Sequence, residues 1–182
     1  MKPANTKKIH VPGAIVFITL LFLSCSSPGP SGNTVSLTQI DLNLYRTASV
    51  TGTFTVELRD TNGATPAIWS DTVNADTLLS GSNWNSFPVT GVTLTKGTTY
   101  RIYATRSAAH NLGVDQITWS ASDAMGDDEY EAGVSSSASA IMDFMFRTYV
   151  DGVLDQEMTV AEYGFSLADS NYSWWQEFVP GA

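Results

Sequence analysis

Ile40-Asp41-Leu42-Asn43-Leu44-Tyr45 and, a few residues on, Phe54-Thr55-Val56-Glu57-Leu58-Arg59 set apolar and polar side chains in alternation. A period of two is the mark of a strand with one face in a core and the other toward water. Asp60-Thr61-Asn62-Gly63 follows with turn chemistry, since Asn and Gly tolerate the positive φ that a tight turn demands. Working outward, similar patterns predict strands near Ala67–Val73, Asn85–Thr90, Gly97–Ala104, Gln116–Ser120 and Ile141–Tyr149, with Tyr100, Ile102 and Ala104 on one face. Short strands, frequent turn signals, abundant Thr and Ser and no 3.6-residue periodicity predict an all-β antiparallel sandwich. The one helical turn expected covers Ala75–Ser80, with Asp76 capping Thr77-Leu78-Leu79.

Ahead of the first strand, Lys2, Lys7 and Lys8 precede a nearly unbroken apolar run from Ala14 to Leu23, the layout of an export signal. Val11 to Leu23 is 13 residues, short of the roughly 20 that cross a ~30 Å hydrocarbon core. Phe22-Leu23-Ser24-Cys25 resembles the lipobox of bacterial lipoproteins, so residues 1–24 are expected to leave as signal peptide and Cys25 to become the acylated first residue. Cys25 is the only cysteine and has no internal partner for a disulfide. The resemblance implies more than one acyl chain, and at ~0.8 kcal/mol per buried CH₂ that anchors stably where a single chain would not. By resemblance to Gram-negative lipoproteins, Ser26 after the cysteine points to the outer membrane or cell surface.

Residues 25–32 form a Ser/Pro/Gly tether, too polar to pack. Residues 33–182 remain for one domain, a length that buries roughly two thirds of its unfolded surface. The whole chain carries a net −9; without the three leader lysines, six basic residues face eighteen acidic ones, a net −12. Such a balance disfavours nucleic acid and anionic lipid headgroups as partners.

Ile40-x-Leu-x-Leu44, Gly52-x-Phe-x-Val56, Trp84-x-x-Phe87, Leu94-x-x-Gly-Thr-x-Tyr100, Tyr130-x-x-Gly133 and Asp143-Phe-Met-Phe-Arg-Thr-Tyr149 occur in this order. Together they resemble the choice-of-anchor modules of bacterial surface proteins, over about residues 35–150. That resemblance implies a jelly-roll sandwich similar to carbohydrate-binding modules, and a cell-surface location. Trp174-Trp175-Gln176-Glu177-Phe178-Val179-Pro180-Gly181 resembles the opening strand of those modules, which is missing ahead of Thr34. A circular permutation is therefore expected, with this strand beside Thr34–Tyr45, Ala182 near Asn33, Trp174 and Phe178 buried, and Trp175 and Glu177 facing the other way. A truncated second module, or a strand donated to a neighbouring molecule, are the rival readings.

Catalytic groups are scarce. His110 is the one histidine after the leader, Cys25 is taken by lipid, and no Gly-x-Ser-x-Gly elbow occurs. Zinc lacks His and Cys ligands, and no carboxylate pair is singled out for glycoside hydrolysis. Asp127, Asp128, Glu129 and Glu131 make an oxygen-rich loop of the kind Ca²⁺ uses, without EF-hand spacing, and a solvated acidic loop is the first reading. No cofactor is expected. Sugar rings stack on flat exposed side chains, which makes Trp175, Trp84, Trp69, Tyr103 and Tyr45 the ligand candidates, whereas Trp119 shares inward parity with Ile117 and Ala121. The expected function is a lipid-anchored, non-catalytic envelope module that binds a carbohydrate or a protein. A structural envelope component without a small-molecule site stands second, and a glycoside-active enzyme last.

Overall fold

The alternation in the sequence becomes two antiparallel sheets packed face to face, an all-β sandwich. The larger sheet contains β1 (Thr34–Arg46), β4 (Gly81–Thr95), β6 (Ile117–Asp123), β7 (Met142–Phe144), β8 (Phe146–Val150), β9 (Val153–Met158) and β10 (Tyr163–Ser166). The smaller holds β2 (Thr53–Asp60), β3 (Trp69–Asn74), β5 (Tyr100–Arg106) and β11 (Trp174–Phe178), in the order β11-β5-β2-β3. This computed structural model describes residues 32–60, 65–108, 111, 113–123, 142–158, 163–166 and 174–181. The expected signal peptide, Cys25, the tether up to Ser31, His110 and the acidic loop of Asp127, Asp128, Glu129 and Glu131 lie outside the described residues. No helix among the described residues is long and apolar enough to cross a membrane.

Strand β1 is the spine of the larger sheet. Strand β4 pairs along its whole length on one side, while β8 takes Leu37–Leu42 and β6 takes Leu44–Arg46 on the other. An irregularity between Leu37 and Gln39 resets the parity, so Val35 and Leu37 point inward before it and Ile40, Leu42 and Leu44 after it. At Met145 three strands meet. Its N–H donates to the Ser120 carbonyl at 2.8 Å and its own carbonyl accepts from the Asn43 N–H at 3.2 Å, which carries the chain from β6 to β1. The predicted strand over Ile141–Tyr149 is thereby split in two.

Aromatic side chains fill the space between the sheets. Trp119 stacks on Phe144 at 4.6 Å, as its inward parity predicted, and its indole N–H donates to the Met145 carbonyl at 2.8 Å. Phe54 of the smaller sheet meets Phe87 of the larger at 5.8 Å, and Phe178 meets Phe146 at 6.3 Å. Each such ring contributes roughly 1.5–3 kcal/mol by leaving water.

The last strand pairs within its own chain, from Trp174 opposite Ala104 to Phe178 opposite Tyr100. Its neighbour is therefore β5 in the smaller sheet, and not the Thr34–Tyr45 strand expected from the sequence. Phe178 is buried and Trp174 packs on the core, with Trp175 and Glu177 on the opposite face, as predicted. Both ends of the described chain rest on one turn: Lys96 N–H donates to the Asn33 carbonyl at 2.9 Å and Gly97 N–H to the Pro180 carbonyl at 3.2 Å. Gly97 has φ +70, which explains glycine there and why β5 begins only at Tyr100. Ala182 lies outside the described residues.

Two further expectations change. The helical turn shrinks to a 3₁₀ turn over Ala75–Thr77, with Asp76 inside it and Asn74 at its start making no side-chain cap. Buried Ala75 pins the turn, and the Thr77 hydroxyl donates back to the Asn74 carbonyl at 2.7 Å. Strands β9 and β10 add pairings that the sequence pattern did not predict.

Candidate binding cleft

Among the described residues strand β4 pairs only with β1, and its other edge, without a strand partner, lies beside the segment that leaves β3. Between that edge and the segment is a cleft of about 330 Å³ lined by Val73, Thr77, Leu78, Leu79, Trp84, Asn85, Ser86 and Phe87. This is the lower end of the size that holds small ligands. Its wall is built by Arg46, at the end of β1. The guanidinium donates to the Leu78 carbonyl at 2.6 Å, to Asp76 at 2.9 Å, and to Thr47 and Ala48 at 3.1 Å each. One cation thus binds four carbonyls that no regular strand pairing could satisfy. From below, Asn85 accepts from the Leu79 N–H at 2.8 Å and donates to the Asn83 carbonyl at 3.0 Å.

Trp84 stands at the rim, opposite Asn43 in the register and on the outer face of the sheet. Arg147 rises from β8, two strands away, and lies over β1 to place its guanidinium 4.1 Å from the centre of the Trp84 ring. The crossing covers the outer face of β1, where Asp41 and Asn43 are buried despite their polarity. Asp41 accepts from Gln39 at 2.7 Å, and Asn43 accepts from the Ser120 hydroxyl at 2.8 Å and the Ser82 hydroxyl at 3.3 Å. Burial pushes the Tyr149 hydroxyl above its ordinary value, and the nearby Asp41 carboxylate adds to the effect. The Trp84 indole N–H and the Ser86 hydroxyl make no hydrogen bond among the described residues, so the cleft offers a flat ring and free donors together.

The structure divides the aromatic candidates between the two sheets. Tyr45 shares the outer face with Trp84, a diagonal neighbour beyond Asn43, and is exposed. Trp69 packs half-buried against the core from β3. Tyr103 and Trp175 lie together on the outer face of the smaller sheet, ring centres 6.3 Å apart. Tyr103 is not the exposed ring its parity suggested: it is only 6% accessible, because Arg59 lies over it at 4.3 Å and Trp175 closes its other side. Trp175 in turn carries Arg101 at 4.0 Å, and Glu57 and Glu177 pair with the two arginines. That face is an interlocked layer of charge and ring, whereas the Trp84 face opens into a cleft.

Arg46, Leu79 and Arg147 were not singled out from the sequence. The outward parity of Arg147 is readable in Phe146-Arg147-Thr148, but its meeting with Trp84 depends on both β8 and β4 flanking β1. No family model, curated protein or solved structure matches the chain.

Proposed function

We propose that this chain is a non-catalytic binding module of the bacterial envelope, held by lipid on Cys25, that takes a carbohydrate in the Trp84 cleft. The observation that carries the reading is the position of Trp84, whose ring is clamped by Arg147 while its N–H and the neighbouring Ser86 hydroxyl are left to bond a ligand. Sugars bind through this combination, a flat aromatic for the C–H face and a few fixed donors for the hydroxyls. The adjoining ends at the Lys96-Gly97 turn support the further reading that the closing strand is a transposed opening strand of a jelly-roll module.

The test is a glycan array probed with the detergent-solubilised full chain, then titration of the best binder. Trp84→Ala should weaken binding at least about tenfold, the loss of one stacked ring, with Trp175→Ala close to wild type. An array without binders, or binding that survives Trp84→Ala, overturns the proposal.

A further inference from the structure

We propose that the saccharide taken by the cleft is acidic, of the hexuronic class, and that Arg147 receives its carboxylate on the guanidinium edge that no described residue bonds; this rests on the carbohydrate reading above. Within the described residues Glu157 is the only hydrogen-bond partner of Arg147, accepting from Nε at 3.1 Å. Among the described residues the two Nη groups make no hydrogen bond, and the side chain is 30% exposed with its guanidinium 4.1 Å from the centre of the Trp84 ring. Other arginines of the same chain behave differently. Arg46 directs its donors to four carbonyls, and Arg106, fully buried, directs its own to the Thr51 carbonyl and to Asp115. Those two are structural cations. Arg147 is fixed on one edge by Glu157 and on one face by Trp84, which orients the remaining pair of N–H donors as a fork for a planar anion.

The geometry places ring and charge on the same ligand. Arg147 comes from the β1 side of Trp84, and the cleft lies on the far side, beyond the edge of β4. Arg147 covers one face of the indole, so a sugar seated in the cleft against the rest of the ring would carry its carboxylate past the ring edge to the guanidinium. Nearby negative groups do not block this. Glu157 occupies Nε, and Asp41, beneath, is buried and accepts from Gln39. The acidic surface repels polyanions at long range, but that field is screened beyond about 8 Å in physiological salt, whereas a forked hydrogen bond acts in contact.

The experiment titrates the full chain with hexuronate oligosaccharides and with the same oligosaccharides after reduction of their carboxyl groups to alcohols. Wild type should prefer the acidic form by about tenfold, one charge-assisted contact. Arg147→Gln should abolish that preference while keeping affinity for the reduced form, and Arg147→Lys should recover only part of it, since an ammonium lacks the fork. Equal affinity for both forms, with both lost in Trp84→Ala, overturns the acidic inference and leaves the carbohydrate reading standing. Loss of both forms in Arg147→Gln also overturns it, because the arginine then only holds the ring. If neither form binds and the array is empty, both readings fail.

Discussion

Gln176 of the last strand reaches through the interior to Asp143 of the opposite sheet: its Nε2 donates to Asp143 Oδ1 at 2.9 Å, while its Oε1 accepts from the Phe144 N–H at 2.7 Å. Gln176 is fully buried and Asp143 nearly so. Between two inward aromatic residues, Trp174 and Phe178, a polar side chain therefore ties the closing strand to the larger sheet. Gln176→Leu leaves the Phe144 N–H without its acceptor and should cost about 3 kcal/mol, read as a Tm lower by roughly 10 °C. An unchanged Tm would show that the tie contributes nothing.

Gln176→Glu tests the same tie by pH. A second carboxyl beside Asp143, in a buried site, has its folded-state pKa raised by burial and by the like charge. The folded protein then holds that proton more readily than the unfolded chain, so stability increases as pH falls. The variant should be less stable than wild type at pH 7 and recover part of the difference by pH 5 in denaturant titrations.

Arg106 and Asp115 form the opposite case. The Thr51 hydroxyl, most of all, and Arg106 hold the Asp115 carboxyl below its ordinary value of 3.8. A depressed folded-state pKa contributes stability that is present above the unfolded value and is lost as pH falls through the folded one. Wild-type Tm should therefore drop on acidification below pH 4. Asp115→Asn should lower stability by about 2 kcal/mol at pH 7, less than for a fully buried pair because Asp115 is partly exposed, and the gap to wild type should narrow toward pH 3. A gap that stays constant with pH removes the ion pair as the cause.

Arg46→Lys keeps the charge but cannot reach four carbonyls. The wall from Asp76 to Leu78 should loosen, with a stability loss of about 2 kcal/mol and a fall in ligand affinity larger than the Tm change accounts for. Affinity that follows wild type, at ligand concentrations saturating the native state, would mean that the wall is not shaped by Arg46.

Cys25→Ala should release the protein from membranes into the soluble fraction, because the 13-residue stretch Val11–Leu23 is too short to span. Retention of a cleaved Cys25→Ala protein on membranes would remove lipid as the anchor.

The strands whose apolar residues alternate were legible from the sequence, and so were the inward positions of Trp119 and Phe178, because one buried face leaves a period of two. Strand β9 was not. Only Met158 in it is buried, while Val153 and Leu154 are 67% and 44% exposed, and its pairing is irregular between Thr148 and Tyr149, so no alternation marks it. The start of β1 was hidden by the parity change after Leu37. Gln176 shares inward parity with Trp174 and Phe178, but why a polar side chain sits there is seen only once Asp143 and Phe144 face it from the other sheet. The cleft depends on similar distant meetings: Arg46 with the turn after β3, and Arg147 with Trp84 across an intervening strand. Trp84 itself was a candidate, but nothing local distinguished it from Trp69 or Trp175.

Strand β1 starts at the turn shared by Asn33 and Pro180 and ends at Arg46, roughly 40 Å away at ~3.3 Å per residue, next to the cleft wall. If the chain ahead of Asn33 is the proposed tether, a pull between it and something gripped at Trp84 would run lengthwise along β1 and the antiparallel β4. The ladder between them, from Thr34 opposite Thr95 to Arg46 opposite Gly81, lies crosswise to that pull. Its hydrogen bonds would be loaded in shear, sharing the force instead of unzipping one by one, and the domain would act as a stiff strut under tension.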